Sequence, residues 1–431
     1  MRLLELLEER AAQDNPVRVG LVGAGQMGQG LVCQMELMEG METVAVADVV
    51  RERGALAYQA AGIPEDEIRH ASDAETAATA IEDGARVTLT DGMVLTAIPN
   101  LDIVVEATGI PEVGAQVAWD TILNCKHMLQ MNVETDATVG YVLRRMAKAA
   151  GVVYTLTIGD EPGAAMELYS FARALGFEVT CVGKGKNNPL DRTANPDSVA
   201  EEAARKDMNP KMLAGFIDGT KTMVEMTSLG NGIGYPPDVR GMHGPTASPD
   251  TLKELFAPQA QGGVLESTGV VDFALGSVAP GVFLTFTTDQ PKIVKDLGYL
   301  SMGEGPQYSL YRPYHLTSLE TPISIGRAVL KGETTLATDR PPVAETVAVA
   351  KRDLRAGEEV DALGGYTVYG IIERADVARE DGLLPLGLAP GAVLVTDVAE
   401  GTLLRYSDVE LNESLAIVQL RRLQDRMVAG G

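Results

Sequence analysis

The sequence predicts an α/β chain with an N-terminal parallel sheet, a central α+β domain and a small C-terminal all-β module. Three observations lead there. From Val17 to about Gly151, short apolar runs (VRVGLVGAG, METVAVADVV, LDIVVEATG, KHMLQMNV, GVVYTLTIG) alternate with helix-like stretches, the pattern of buried parallel strands joined by crossovers. Between about Gly159 and Leu330 the pattern loosens and becomes rich in Gly and Pro. Around Pro341 and Pro342 the paired prolines mark a linker, after which strand-like runs (TVAVAK, YTVYGIIE, AVLVTDV) are joined by Gly-rich turns. The expected domains are 1–158, 159–340 and 341–431.

With 431 residues the chain is too long for one ordinary core, and 45% apolar against 22% charged residues gives a globular composition. Sixty acidic against thirty-six basic residues leave a formal charge of −24, which repels nucleic acid and anionic membranes. An anionic small molecule can still bind where lysines, arginines and backbone N–H groups converge. The N-terminus, MRLLELLEERAAQ, reads as a short amphipathic helix and not a secretory segment, and no run is long and apolar enough to span a membrane. Cys33, Cys125 and Cys181 are widely spaced, which fits a reduced cytoplasmic setting.

The strongest motif is GLVGAGQMGQGLV, where Gly23, Gly25 and Gly28 make G-x-G-x-x-G between a strand and a helix, with Gln26 and Met27 inside the turn. Gly23 permits the tight turn, Gly25 lets a pyrophosphate approach the backbone, and Gly28 lets the helix pack on the strand. The second strand ends at Asp48, twenty positions beyond Gly28, where an acid can bind the ribose. These features predict a Rossmann domain for a nicotinamide dinucleotide. Asp48 favours NAD, whereas Arg51 and Arg53 could pair with the 2′-phosphate of NADP. Ala107, Thr108 and Gly109, at the end of LDIVVE, are placed on the nicotinamide side, with Asn132 as a further contact.

The run VVEATGIPEVGA together with the glycine motif resembles the homoserine dehydrogenase superfamily, although Asn132, Val133 and Glu134 stand where that family has a lysine. The runs MNVETD, GDEPGAAMEL, VGKGKNNPLD, DGTKTMVEM, GPQYSLYRPYHLTSLETPISI and AKRDLRAGEEVDALGGYTVYG are more similar to the branch described as predicted homoserine dehydrogenases with a C-terminal SAF domain. That branch includes 1-deoxy-D-xylulose 5-phosphate reductoisomerase-like enzymes. The resemblance implies a carbonyl reduction, in some members coupled to rearrangement of the carbon skeleton as in isoprenoid biosynthesis. It also implies NADPH, often a divalent cation such as Mg2+ or Mn2+, and a homo-oligomer.

Four segments offer catalytic chemistry. Asp160 and Glu161 follow an apolar strand and could bind a metal or carry a proton, or could serve as a helix cap. Lys184 and Lys186, beside Asn187 and Asn188 on a Gly-rich turn, could hold an anion or polarise a carbonyl, the alternative being an exposed basic turn. Asp218, Lys221 and Glu225 are spaced to share one helical face, as an active-site row or a surface ion-pair ladder. Arg312, His315, Ser318 and Glu320 lie in YRPYHLTSLE, with His315 as proton carrier and Arg312 as anion clamp, or as structural groups. The stretch GYPPDVRGMHGP is expected to be a mobile loop hinged at Gly241 and Gly244. Oxidoreduction of a small anionic polyol or sugar phosphate is the expected activity, with homoserine-type or sugar-acid dehydrogenation, or dinucleotide sensing without catalysis, as alternatives.

Overall fold

Seven strands form one parallel sheet in the computed structural model, which describes residues 2–430. They are β1 (Val17–Val22), β2 (Met41–Ala47), β3 (Ile68–His70), β4 (Arg86–Leu89), β5 (Ile103–Glu106), β6 (His127–Gln130) and β7 (Tyr154–Leu156). Their spatial order is β3-β4-β2-β1-β5-β6-β7. The order reverses between β1 and β5, and in such sheets the crevice beyond the strand ends at the reversal receives the ligand. Val22, the last residue of β1, pairs with Ala47 on one side and Glu106 on the other, so the glycine turn opens at that point. Val19, Leu21, Leu31, Val32, Val46 and Val105 are buried in the core beneath it.

Two strands were not anticipated. Ile68–His70 is a three-residue edge with two exposed side chains, and Arg86–Leu89 begins on a charged residue, so neither shows an apolar run.

The chain divides into two compact units, 1–160 with 316–339 and 419–431, and 161–315 with 340–418. Segments that the sequence reading put in the central and C-terminal domains thus count with the first unit. In the helix Thr321–Lys331, Ile325 and Ala328 join the core of the parallel sheet. Gln424, on the helix Ala416–Ala429, donates to the Thr138 carbonyl at 3.0 Å and accepts from Val142 N–H at 3.1 Å.

The second unit is built on β8 (Glu178–Gly185), β9 (Thr246–Ala247), β10 (Val270–Gly276), β11 (Val282–Thr287) and β12 (Gln307–Arg312), in the order β12-β11-β8-β10-β9. β8 is parallel to β10 and antiparallel to β11, giving a mixed sheet. Ala164 and Ala165 of the helix Glu161–Ala174, and Met223 and Met226 of the helix Thr220–Ile233, pack with Val182 and Leu284 of the sheet. Residues 340–418 add two small antiparallel pairs, β13 (Ala344–Ala350) with β14 (Val368–Arg374) and β15 (Val393–Leu394) with β16 (Val409–Glu410). The helix Ala375–Glu380 follows β14, so this region is strand-rich and not purely β. Asn231 fastens it to the helix Thr220–Ile233, accepting from the N–H groups of Val343 and Ala344 at 2.8 and 2.9 Å.

Candidate active site

The turn after β1 separates the three glycines by what surrounds them. Gly23 has φ +99°, and a Cβ there would lie 2.9 Å from the Ala107 carbonyl carbon. Gly28 could not carry a Cβ, which would fall 2.1 Å from the Gly23 oxygen, so the helix Gln26–Met35 lies directly on the turn. At Gly25 a Cβ would meet nothing within 4 Å, leaving open space of the kind a pyrophosphate needs. Gln26 and Met27 are exposed in the first turn of that helix.

Asp48 follows β2 and is already engaged. Its Oδ2 accepts from Ala24 N–H and its Oδ1 from Val50 N–H, each at 2.8 Å, so it ties the glycine turn to the next loop. Arg53 Nη1 lies 3.8 Å from Asp48 Oδ1 with its side chain half exposed, while Arg51 is the exposed first residue of the helix Arg51–Ala60. Ala107 and Thr108 are partly buried, and Gly109 is exposed with φ +70°. Asn132 caps the helix Val133–Ala150 by accepting from Thr135 N–H at 3.2 Å. The sequence reading passed over Glu106, a fully buried carboxylate at the end of β5; a lone charge closing the apolar run IVVE was the available signal.

In the second unit the mixed sheet presents Lys184 at the C-terminal end of β8, opposite Phe273 of β10 and Val282 of β11. Lys184 Nζ lies 2.5 Å from Glu161 Oε1 and donates also to Glu225 Oε2, with all three side chains at least nine-tenths buried. Burial alone would lower the lysine pKa, but the two flanking carboxylates outweigh it and hold the ammonium above its usual range. Glu161 begins its helix, where the helix dipole favours a carboxylate. Its Oε2 lies 3.6 Å from His315 Nε2. His315 Nδ1 donates to the Pro280 carbonyl at 2.8 Å, an assignment that follows because a carbonyl can only accept, and it turns Nε2 toward Glu161.

Lys186, one residue beyond β8, is 4% exposed and donates to the carbonyls of Phe216 at 2.7 Å and Pro189 at 3.2 Å. Burial, then repulsion from Lys184 and Arg192, brings its pKa down to about 8. Arg192 donates to the Asp218 carbonyl at 3.0 Å and lies over the Tyr369 ring. Neither Lys186 nor Arg192 pairs with a carboxylate among the described residues.

The expected row of Asp218, Lys221 and Glu225 does not form. Asp218 follows the helix Pro210–Ile217, and Gly219 at φ +85° breaks the chain before the helix Thr220–Ile233 begins. Asp218 Oδ2 instead lies 2.8 Å from Lys351 Nζ. Lys221 is partly buried one turn before Glu225. Asn187 is exposed beyond Lys186. The Arg312 guanidinium lies 4.6 Å from the centre of the Tyr314 ring. Ser318 and Glu320 belong to the first unit, as does Asp160, its last residue before the second unit begins. There the Ser318 hydroxyl closes on Gly30, and Glu320 accepts from Leu316 N–H at 3.2 Å.

The stretch GYPPDVRGMHGP, read as a Gly/Pro-rich loop able to close over the pocket, is held by hydrogen bonds and close packing. Gly241 N–H donates to the Ile372 carbonyl at 2.8 Å, and His243 Nδ1 lies 2.7 Å from the buried carboxylate of Asp272. A Cβ at Gly244 would lie 2.2 Å from the Phe273 ring, so that glycine serves close packing.

Glu161 and Glu225 offer oxygen donors within 4.8 Å of one another, the kind that hold Mg2+ or Mn2+. A divalent cation there would have to displace the Lys184 ammonium that already neutralises both carboxylates, so the donor set fits a lysine-centred site better.

Residues 159–321 match the family model described as oxidoreductase DRL, catalytic domain. No curated protein matches the chain at significant similarity. Among solved structures, a probable dehydrogenase from Thermotoga maritima is similar at 13% identity and TM-score 0.43, covering 74% of this chain and 90% of its own. Scyllo-inositol dehydrogenase from Lactobacillus casei, solved with NAD(H) and scyllo-inositol, is similar at 12% identity and TM-score 0.39, covering 69% and 76%. No helix among the described residues is long and apolar enough to cross a membrane. With a glycine turn at the switch point of a parallel sheet and an oxidoreductase catalytic domain after it, the chain is an NAD(P)-dependent oxidoreductase.

Proposed function

We propose that the enzyme interconverts a carbonyl and a hydroxyl on a small anionic polyol or sugar phosphate, using NADP(H) in preference to NAD(H). The observation that carries this reading is the buried Lys184 bridging Glu161 and Glu225, with a second buried lysine two residues on. The bound coenzyme supplies or accepts the hydride. Lys184, kept charged by its two carboxylates, stabilises negative charge on the substrate oxygen. Lys186, whose pKa falls to about 8, gives that oxygen its proton during reduction and takes it back during oxidation. Glu161, with His315 Nε2 beside its second oxygen, fixes the position of Lys184. Lys186 and Arg192, without carboxylate partners among the described residues, favour an anionic substrate. Preference for NADP(H) is supported by Asp48, whose oxygens are engaged by backbone donors, and by Arg51 and Arg53 next to it.

The test is a panel of sugar phosphates and sugar acids with both coenzymes, followed by the nicotinamide absorbance change and product analysis. Turnover of one member should fall at least ~10²-fold in Lys184→Met and in Lys186→Gln, with coenzyme affinity unchanged. Full turnover in both variants would remove the lysines from the mechanism.

A further inference from the structure

Glu106, the last residue of β5, is fully buried. Three donors converge on its carboxylate. Oε1 accepts from Thr108 N–H at 2.7 Å and from the Thr108 hydroxyl, and Oε2 accepts from Gln130 Nε2 at 2.6 Å. No lysine, arginine or histidine pairs with it among the described residues. The charged group that acts on it is acidic, Glu134 on the helix Val133–Ala150. The Tyr154 hydroxyl of β7, which donates to Asp136 at 3.1 Å, also senses Glu106.

Two further facts give this cluster a direction. The segment fastened by Thr108 begins at Ala107, whose backbone lies against Gly23 closely enough to exclude a Cβ there, so the clamp bears on the glycine turn. On the other side, Gln130 is fully buried and its Oε1 has no hydrogen-bond partner. A buried acceptor left open beside a carboxylate is costly unless a second arrangement uses it.

We infer that Glu106 is a proton-linked positioning residue for the coenzyme: its ionised carboxylate clamps Thr108 and holds Ala107–Gly109 against the glycine turn, and protonation, which removes the charge behind those hydrogen bonds, loosens the clamp. This rests on the reading of that turn as the dinucleotide site. An ionised carboxylate only accepts, which matches the three donors around it. Once protonated on Oε2, it donates to Gln130 Oε1, which rotation of the amide brings round, while Glu106 Oε1 is left a neutral carbonyl that accepts from Thr108 more weakly than a carboxylate does. Burial pushes Glu106 up to about 7 against the hydrogen bonds from Thr108, so the exchange occurs near neutral pH. Coenzyme binding favours the ionised form. Affinity is therefore highest above this range and weakens as pH falls through it, by up to about tenfold per pH unit.

The experiment has two readouts on the full chain. In the coenzyme-free protein with 15N-labelled threonine, the Thr108 amide resonance should move with an inflection between pH 6 and 8, and Glu106→Gln should abolish it. Calorimetry with NADPH over the same range should give a dissociation constant that rises at low pH in the wild type and is flat in Glu106→Gln. A Thr108 amide that does not titrate, or an inflection that persists in Glu106→Gln, overturns the clamp. A titrating amide with pH-independent NADPH affinity overturns its link to the coenzyme. Failure of NADPH to bind at any pH overturns that link and the dinucleotide reading together, while the amide titration still reports on the clamp by itself.

Discussion

Lys351 Nζ lies 2.8 Å from Asp218 Oδ2 with both side chains buried, and it donates as well to the carbonyls of Ala194 at 2.6 Å and Gly365 at 2.9 Å. One ammonium thus joins β13 to the junction of two helices in the catalytic unit. Removing one partner of such a pair leaves a charge in the interior, at a cost of about 3–5 kcal/mol. Lys351→Met should lower the urea midpoint of unfolding by a corresponding amount, and adding Asp218→Asn should recover part of the loss. Equal midpoints for the single variant and the wild type would show that the pair does not hold the region in place.

Lys186 should set the pH profile. Its pKa is brought down to about 8, so its ammonium form prevails below that value and its neutral amine above it. As proton donor in reduction it is competent at low pH, and kcat/KM for reduction should fall about tenfold per unit above about 8. Oxidation needs the neutral amine and should rise across the same interval. Lys186→Arg, which stays protonated, should abolish both inflections. Parallel profiles for the two directions would contradict this assignment.

His243 governs a different pH response, in stability. Its ring lies between Asp272 and Asp238, at 2.7 and 3.6 Å, and Asp272 also accepts from the N–H groups of Gly244 at 3.0 Å and Phe273 at 2.8 Å. The hydrogen bond to Asp272 raises the histidine pKa, against desolvation, and Asp238 and Glu266 add to the rise. A raised folded value means that the charged form stabilises the fold. The contribution is complete below the unfolded value of about 6.5 and is lost as pH rises through the higher folded value. Urea midpoints should therefore decline as pH rises above about 6.5 in the wild type, and His243→Gln should flatten that decline.

What could be read from the sequence follows how local each determinant is. The glycine turn was legible because strand, turn, helix and acid lie within one short stretch, and each glycine's surroundings match the requirement written into the motif. Lys184 was legible as a residue, but its partners Glu161 and Glu225 come from two other segments and meet only when the helices pack on the mixed sheet. The row of Asp218, Lys221 and Glu225 failed for a local reason, since spacing assumed a continuous helix through Gly219. Ser318 and Glu320 looked like neighbours of His315, yet the chain passes from one unit to the other at Leu316. The turns KRDLRAGE and DVAEGTLLRYSDV face each other, with Leu354 and Val398 exchanging hydrogen bonds at 2.8 and 3.0 Å and Arg355 paired to Asp397 at 2.7 Å. Their pairing joins residues some forty positions apart and so left no local mark in the sequence.

Coenzyme choice gives the last expectation. Asp48 has two backbone donors and Arg53 close by, so a ribose hydroxyl finds a carboxylate already occupied, whereas a 2′-phosphate finds a half-exposed guanidinium. A charge-assisted contact of this kind contributes roughly 1.5–3 kcal/mol, or about 10–150-fold in affinity. Arg53→Ala should weaken NADPH by that order and leave NADH unchanged, with Arg51→Ala showing a smaller effect because no carboxylate among the described residues orients it. Calorimetric dissociation constants for both coenzymes decide the matter. Equal weakening of the two would mean that Arg53 supports the loop through Asp48 and does not read the phosphate, because loss of the loop would affect both coenzymes alike.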